Sequence, residues 1–317
     1  MLIFTVRRFA QAVLVLIGST FLMYIAVFQL GDPFLTKPGS EKVVSPEARA
    51  LLHAHFGLDK PFYLQYLIYL KNIFTLDFGI DFDQRRQVSE LLGAAAPNTV
   101  RLAVLAIALN VLFGVLAGIA AAVWKDTFID ALVTVSTVML LCVPSFVLGL
   151  ILRAKLSGLH VFGSELFPQL PHPFGVEPPW FKAVLLPAFT LGALEIAFVS
   201  RLVRASMLEV MHETYLHTAR AKGLPERIVI FKHAARNALL PVVTHVGIAF
   251  GALLGGAVIT ETIFSYPGLG YLFIRSVANV NNPVMLAIAV LAVITFVTLS
   301  AVVDVLSAYL DPRIRVS

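Results

Sequence analysis

Six long apolar blocks, separated by shorter polar stretches, set the pattern of this chain: about Phe9–Leu30, Asn98–Val123, Phe128–Leu152, Lys182–Val203, Val242–Thr262 and Pro283–Leu306. Each is long enough to cross a hydrocarbon core of about 30 Å at about 1.5 Å per residue. The pattern predicts an all-α integral membrane protein with about six transmembrane helices. The first block follows Arg7-Arg8 and is too long for the apolar part of a cleaved leader, so it reads as an uncleaved span. Lys and Arg accumulate on the cytoplasmic side of membrane proteins, which places that end inside. An even span count then puts both termini in the cytoplasm.

The connections carry their own signals. Gly31–Pro97 is polar and of mixed charge, and reads as an extended external segment. Within it, Ser45-Pro46-Glu47 has the form of a helix start, with Ser as N-cap and Pro at the first helical position. A further helix is expected from after Pro61 to about Phe74. Its Phe62, Tyr63, Tyr66 and Tyr69 suit the half-wet membrane interface. Span two holds Gly114 and Gly118 four apart, and Trp124-Lys125-Asp126 forms a short inner turn. Pro144 is expected to kink span three, because it removes a backbone hydrogen bond. Ala154–Phe181, rich in Pro and Gly, reads as an external loop, with Arg153 and Lys155 at its edge running against the charge bias. The expected division is 1–30 for the N-terminus and first span, 31–97 for the external segment, 98–310 for the transmembrane core and 311–317 for a cytoplasmic tail.

Composition agrees with a membrane chain. Of 317 residues 58% are hydrophobic and only 14% charged, and the mean hydropathy is +0.86. A soluble domain carries about a quarter charged residues. The net charge of +5 is accounted for by inward-facing Lys and Arg, so it gives no reason to expect nucleic acid as a partner. The single cysteine, Cys142, lies in an apolar block and excludes an intramolecular disulfide or a Cys-based metal site.

Arg204–Leu240 is strongly basic and falls between spans four and five. Ala205–Lys222 holds good helix formers without Pro or Gly, Gly223 stands where a C-cap glycine belongs, and Pro225 suits the first position of a second helix. The expected local structure is helix, glycine turn, helix, within a coupling loop of about 205–240. An ordinary solvated loop between spans is the plainer alternative.

These residues carry a resemblance. Thr218-Ala219-Arg220-Ala221-Lys222-Gly223-Leu224 resembles the conserved cytoplasmic EAA loop of binding-protein-dependent ABC importer permeases, in the form used by the dipeptide/oligopeptide/nickel branch. Arg236-Asn237-Ala238-Leu239-Leu240-Pro241 is similar to that branch's continuation. Phe4 with Arg7-Arg8, Gly57–Pro61 with Gln65-Tyr66, Asp77-Phe78-Gly79, Pro97-Asn98-Thr99, Glu261–Gly270 and Asp311-Pro312-Arg313 resemble further segments of the first permease of the pair, in the right order. His217-Thr218-Ala219 stands where the wider superfamily has Glu-Ala-Ala, and the later Ile-x-Leu-Pro is missing.

The resemblance implies a peptide importer in which this non-catalytic chain forms half of the pore. Implied partners are a second homologous permease, one or two cytoplasmic ATPase chains and an extracytoplasmic substrate-binding protein, all at a bacterial or archaeal cell membrane and its lipid. ATP and Mg would sit on the ATPase, since this chain has no P-loop and is expected to bind no cofactor or metal. The implied ATPase contact is Glu213, Tyr215, Thr218, Ala219, Arg220, Ala221, Lys222, Gly223 and Leu224. Nickel or another small solute is the alternative within the family. A stand-alone secondary transporter or channel is the alternative outside it, and a membrane enzyme finds no catalytic set of residues.

Three other features stand out. Gly247, Gly251 and Gly255 bare one face of span five, for a permease–permease interface near the pathway or for packing within the chain. Glu195, mid-span, is expected to face protein or a wet cavity and to line or border the pathway, with a structural acid as the alternative. Asp304 is expected to pair with a cytoplasmic arginine. His212 and His217 are five apart, which turns them about 140° from each other on a helix and rules out a zinc pair of the metalloprotease kind. His53, His55, His160 and His172 read as scattered surface residues.

Overall fold

The computed structural model describes residues 2–29, 47, 50–51, 53–54, 57–81, 86–161, 164–170, 179–279 and 281–310. Outside them lie the expected helix start at Ser45-Pro46, His55, His172 and the tail from Asp311, and the side chains of His160 and Asp304 are likewise not described. The described chain is nearly all helical. Helix α1 (Leu2–Tyr24) runs into a π-helical turn, Ile25–Gln29. There follow α2 (Phe62–Phe74), α3 (Val88–Val123), α4 (Phe128–Cys142) and α5 (Ser145–Leu156). A two-residue hairpin, β1 (His160–Val161) against β2 (Ser164–Glu165), pairs His160 with Glu165. Then come α6 (Trp180–Val210), α7 (Thr214–Ala221), α8 (Glu226–Ile228), a π-helical turn Val229–Ala234 and α9 (Ala235–Ala238). The chain closes with α10 (Leu240–Phe264), α11 (Leu269–Ala278) and α12 (Asn282–Leu310).

Among the described residues four helices are long and apolar enough to cross a membrane: Val6–Tyr24 of α1, α3, α6 and Asn282–Val303 of α12. Two bent pairs, α4 with α5 at 103° and the end of α10 with α11 at 76°, make the number six when each pair is counted as one span. In the first of these the kink expected at Pro144 is a full break between two helices. A residue before proline is pushed out of the α region. Val143 accordingly sits at φ −94°, ψ 120°, so α4 stops there and Pro144 starts a separate helix as its N-cap. Helix α5 then runs to Leu156, three residues into the expected loop.

Two units divide the chain. The first comprises 1–99 and 267–317. Here α2 packs on α1 through aromatic rings: Phe21 on Phe62 and Tyr66, Tyr24 on Phe62, Tyr66 and Tyr69, and Phe28 on Tyr69. Tyr24 Oη donates to Gln65 Oε1, and Gln65 Nε2 in turn donates to the carbonyls of Lys60 (2.7 Å) and Leu58 (3.2 Å). Of the four aromatics expected at the membrane interface, Tyr63 and Phe62 are exposed, at 65% and 43%, while Tyr66 and Tyr69 turn inward; Phe62, Tyr66 and Tyr69 hold the two helices together.

Helix α3 begins at Val88, ten residues before the expected start of span two at Asn98, and runs through Pro97 without breaking. Burial compensates: Val88, Leu92 and Ala95 are buried, the first two in this unit's core with Tyr69, Phe78 and Val284. Directly after Pro97, Asn98 Nδ2 donates to the Pro267 carbonyl (2.9 Å) and Thr99 Oγ1 accepts the Leu269 amide (2.8 Å), which is the first amide of α11.

The second unit is 100–266. Helix α6 is its axis: 72% of its most apolar stretch is buried, against 39% for α3, so nearly every face meets protein. Helices α4, α5 and α10 pack on it, and α3 approaches it through glycines. A Cβ on Gly118 would lie 2.5 Å from the Ser200 carbonyl oxygen and 2.6 Å from Val203 Cβ; on Gly114 it would lie 2.9 Å from Val199 Cβ. Backbone contact of this kind is how helices associate where lipid is as apolar as leucine.

Gly118→Ala is therefore expected to destabilise the folded chain by about 1–3 kcal/mol through overpacking, read as a lowered thermal midpoint in detergent. Gly93→Ala, where a Cβ meets nothing within 4 Å, should leave that midpoint unchanged or raise it.

Candidate functional site

The expected continuous helix 205–222 is broken. Helix α6 ends at Val210, and Glu213, in extended conformation, starts α7. At the break the His212 amide bonds to Glu209 O, and its ring Nδ1 reaches Leu208 O at 2.6 Å. That carbonyl would have accepted the His212 amide in an unbroken helix. The physical reason for the break is burial. Redirecting α7 places Leu216 (0% exposed) and Ala219 among Met207, Val229, Ile230, Ala234 and Ala235, which a straight extension of α6 would forgo.

The turn after α7 is a complete Schellman closure. Gly223 has φ +76°. Its amide bonds to Arg220 O (2.9 Å) and the Leu224 amide to Ala219 O (3.4 Å), while Leu224 packs on the same apolar cluster as Ala219. A Cβ at Gly223 would touch nothing within 4 Å, so glycine is needed there for the backbone angle alone. Pro225 is the N-cap of the second arm and Glu226 its first residue, one position later than expected.

Two polar links brace the elbow. Arg220 grips Glu226 across the glycine turn, with Nη2–Oε1 at 2.9 Å and Nε–Oε2 at 3.2 Å. Hydrogen bonding to Arg220 lowers the Glu226 pKa, and the Arg220 pKa rises in return. At the open end Asn237 Nδ2 donates to Tyr215 Oη (2.8 Å). The remaining face is free of such links: Glu213, Thr218, Ala221, Lys222 and Gly223 are exposed, side by side with His217. The nine loop residues singled out in the sequence thus form one element, but they divide into an exposed face and an inner one carried by Ala219 and Leu224.

Below the elbow, Asp130 at the start of α4 accepts both Nε and Nη2 of Arg204, each at 2.7 Å. Asp130 is buried and also accepts the Asp126 amide (3.1 Å). Sequence reading missed this pair; an acid within the first turn of an apolar block, with a free arginine near the end of another, was the available signal. Arg153, which ran against the charge bias, donates from Nη1 to the Ile263 carbonyl.

Glu195 is not alone in α6. Its Oε2 lies 2.9 Å from His245 Nε2 on α10, both side chains are about a quarter exposed, and the His245 ring stacks on Phe198 at 4.3 Å. His245 was also missed; a histidine just inside a predicted span was its signal. Gly247, Gly251 and Gly255 lie on α10, in step with Val243 and Ile259. Those two are exposed at 48% and 53%, whereas Ala249, Leu253 and Ala257 are buried. Two residues turn a helix by about 200°, so the glycine row and the buried row occupy opposite faces. Among the described residues no group of three or more His, Cys, Asp or Glu is arranged to hold a metal.

Gly223→Ala should cost about 1–2 kcal/mol of elbow stability, the penalty for a Cβ in the left-handed region. Faster hydrogen exchange at the Leu224 amide would read it, with Gly223→Asn falling between the two. The Arg220–Glu226 link, half exposed and screened, should contribute about 0.5 kcal/mol. Because the folded Glu226 pKa is lowered, that contribution is present above the ordinary carboxylate pKa and disappears as pH falls through the lowered value. A double-mutant cycle should therefore find coupling at pH 7 and none in acid.

Comparison with known proteins places the chain. Residues 114–316 match the family described as binding-protein-dependent transport system inner membrane component, and residues 1–103 match the N-terminal family of the same systems. The glutathione transport system permease protein GsiC of Escherichia coli (strain K12) is 37% identical over 320 residues, 99% of each chain. The protein of that name from Shigella flexneri serotype 5b (strain 8401) is equally similar. Among solved structures, an amino acid ABC transporter crystallised with histidines superposes with a TM-score of 0.51 over 70% of this chain and 94% of that one, at 18% identity, a likeness of fold. The chain belongs to the binding-protein-dependent transport system inner membrane components, the permease subunits of ABC importers.

Proposed function

We propose that this permease imports small peptides, with the elbow 213–238 as the element that receives the stroke of a partner ATPase. The observation that carries this reading is the elbow's construction. It is a closed glycine turn with an apolar inner face, an exposed outer face and direct continuity into α6 and α10. A push on Thr218, Ala221 or Lys222 acts on a braced body that shares its core with the ends of both helices. A flexible loop would absorb the push. ATP and Mg belong to the ATPase, and this chain contributes no catalytic group.

In this reading the elbow and both termini face the cytoplasm, and a substrate-binding protein docks on the opposite side. The row Gly247, Gly251, Gly255, flanked by exposed Val243 and Ile259, is the face offered to a second homologous permease. Glu195 borders the pathway. Peptide as substrate is supported by the full-length similarity to permeases named for glutathione, itself a small peptide.

Affinity purification of the tagged chain from its native membrane, in mild detergent, tests the assembly. A second multi-span permease and a P-loop ATPase should co-purify, and the reconstituted complex should take up peptide only with ATP. Recovery of the chain alone, from a membrane whose other complexes survive the same detergent, would contradict the proposal.

A further inference from the structure

Midway along α6, between Leu194 and Ile196, stands a carboxylate whose partner is an imidazole instead of a lysine or arginine. Among the described residues Glu195 makes no hydrogen bond or ion pair other than the one between Oε2 and His245 Nε2, which leaves Oε1 open. Arg204, further along the same helix, is committed to Asp130 in bidentate geometry. About a quarter of the Glu195 side chain remains accessible. Against lipid, an acid at this depth costs about 2.5–3.5 kcal/mol even on the lenient insertion scales. Its open side therefore faces water or protein. The His245 ring is held by its stack on Phe198 (4.3 Å, 27° between planes), so the imidazole stays beside the carboxylate.

We propose that the Glu195 carboxylate is a subsite for an organic ammonium group passing through the pore. The group is either the α-ammonium of a peptide or the ammonium of a basic side chain. The inference rests on the reading of this chain as half of an import pore and adds what that pore selects at mid-depth. A carboxylate with one open oxygen and one bonded to an imidazole offers an arriving ammonium a charge-assisted hydrogen bond. His245 keeps the acid hydrogen-bonded when no substrate is present, which lowers the cost of holding it inside the membrane. Nothing covalent is formed, and the group leaves as the cavity turns.

The test uses the complete complex in proteoliposomes, with Cys142→Ser to remove the native thiol and His245→Cys to place a thiol beside Glu195. Cationic trimethylammonium-ethyl and anionic sulfonatoethyl methanethiosulfonates are compared during ATP turnover. The cation should react at least tenfold faster, and adding Glu195→Gln should bring the two rates within about twofold, with Glu195→Asp restoring the preference. A dipeptide of neutral side chains that slows the reaction identifies the α-ammonium; protection by N-acetyl-lysine amide alone identifies the side chain. Equal rates for the two reagents before Glu195 is changed, a preference that survives Glu195→Gln, or protection by neither competitor would overturn the subsite and leave the pore reading standing. Failure of both reagents to react in any nucleotide state would place position 245 away from the aqueous pathway and overturn the subsite as well.

Discussion

The coupling role proposed for this permease depends on the burial of one face of a short helix. Leu216 and Ala219 lie in a cluster with Val199, Val203 and Met207 of α6, Val229 and Ile230 of the second arm, and Val242 at the start of α10. Fully burying a leucine stabilises by about 1.5–3 kcal/mol. That is enough to offset the local cost of breaking a helix that has no proline or glycine to break it. The cluster makes α6, the elbow and α10 one mechanical piece. The glycine turn and the Arg220–Glu226 link shape that piece, but neither is strong enough to hold it: an exposed ion pair contributes less than one buried leucine.

The second theme is how a chain with so few charges places each of them. Asp130 meets Arg204 with both oxygens engaged, a geometry that costs several kcal/mol to break from one side only. Arg153 is taken up by a backbone carbonyl near the end of α10. Asp81 and Asn281 are both buried and bonded to one another. Against these committed groups Glu195 differs, since it keeps an open oxygen and a replaceable partner. That difference, more than its depth, separates it from the structural acids.

Much of this was legible in the chain. Apolar block length located α6, α10 and α12 to within a turn or two, and Gly223 was readable as a C-cap because a left-handed residue after a run of helix formers has few other solutions. What local pattern could not supply was the outcome of tertiary competition. The break at 211–213 has no breaker residue; it exists because Leu216 is worth more inside the cluster than in a straight helix. Pro97 inside α3 is the reverse case, a breaker overruled by the burial of Val88 and Leu92. The pairs Asp130–Arg204 and Glu195–His245 join residues 74 and 50 positions apart, and no spacing rule connects them. Two motifs first read separately, Pro97-Asn98-Thr99 and the segment through Gly270, are bonded to one another by Asn98 and Thr99. Only the fold makes them one feature.

The central claim, that the exposed face of the elbow is where the ATPase acts, is open to one direct measurement. A photo-crosslinking residue at Ala221, exposed and outside the apolar cluster, would be activated in native membranes and its adduct identified by mass. The account predicts a single major adduct with a P-loop ATPase, and protection of position 221 from impermeant reagents added outside intact cells. An adduct with a protein of the external side, or labelling from outside the cell, would put the elbow on the wrong face of the membrane and contradict it.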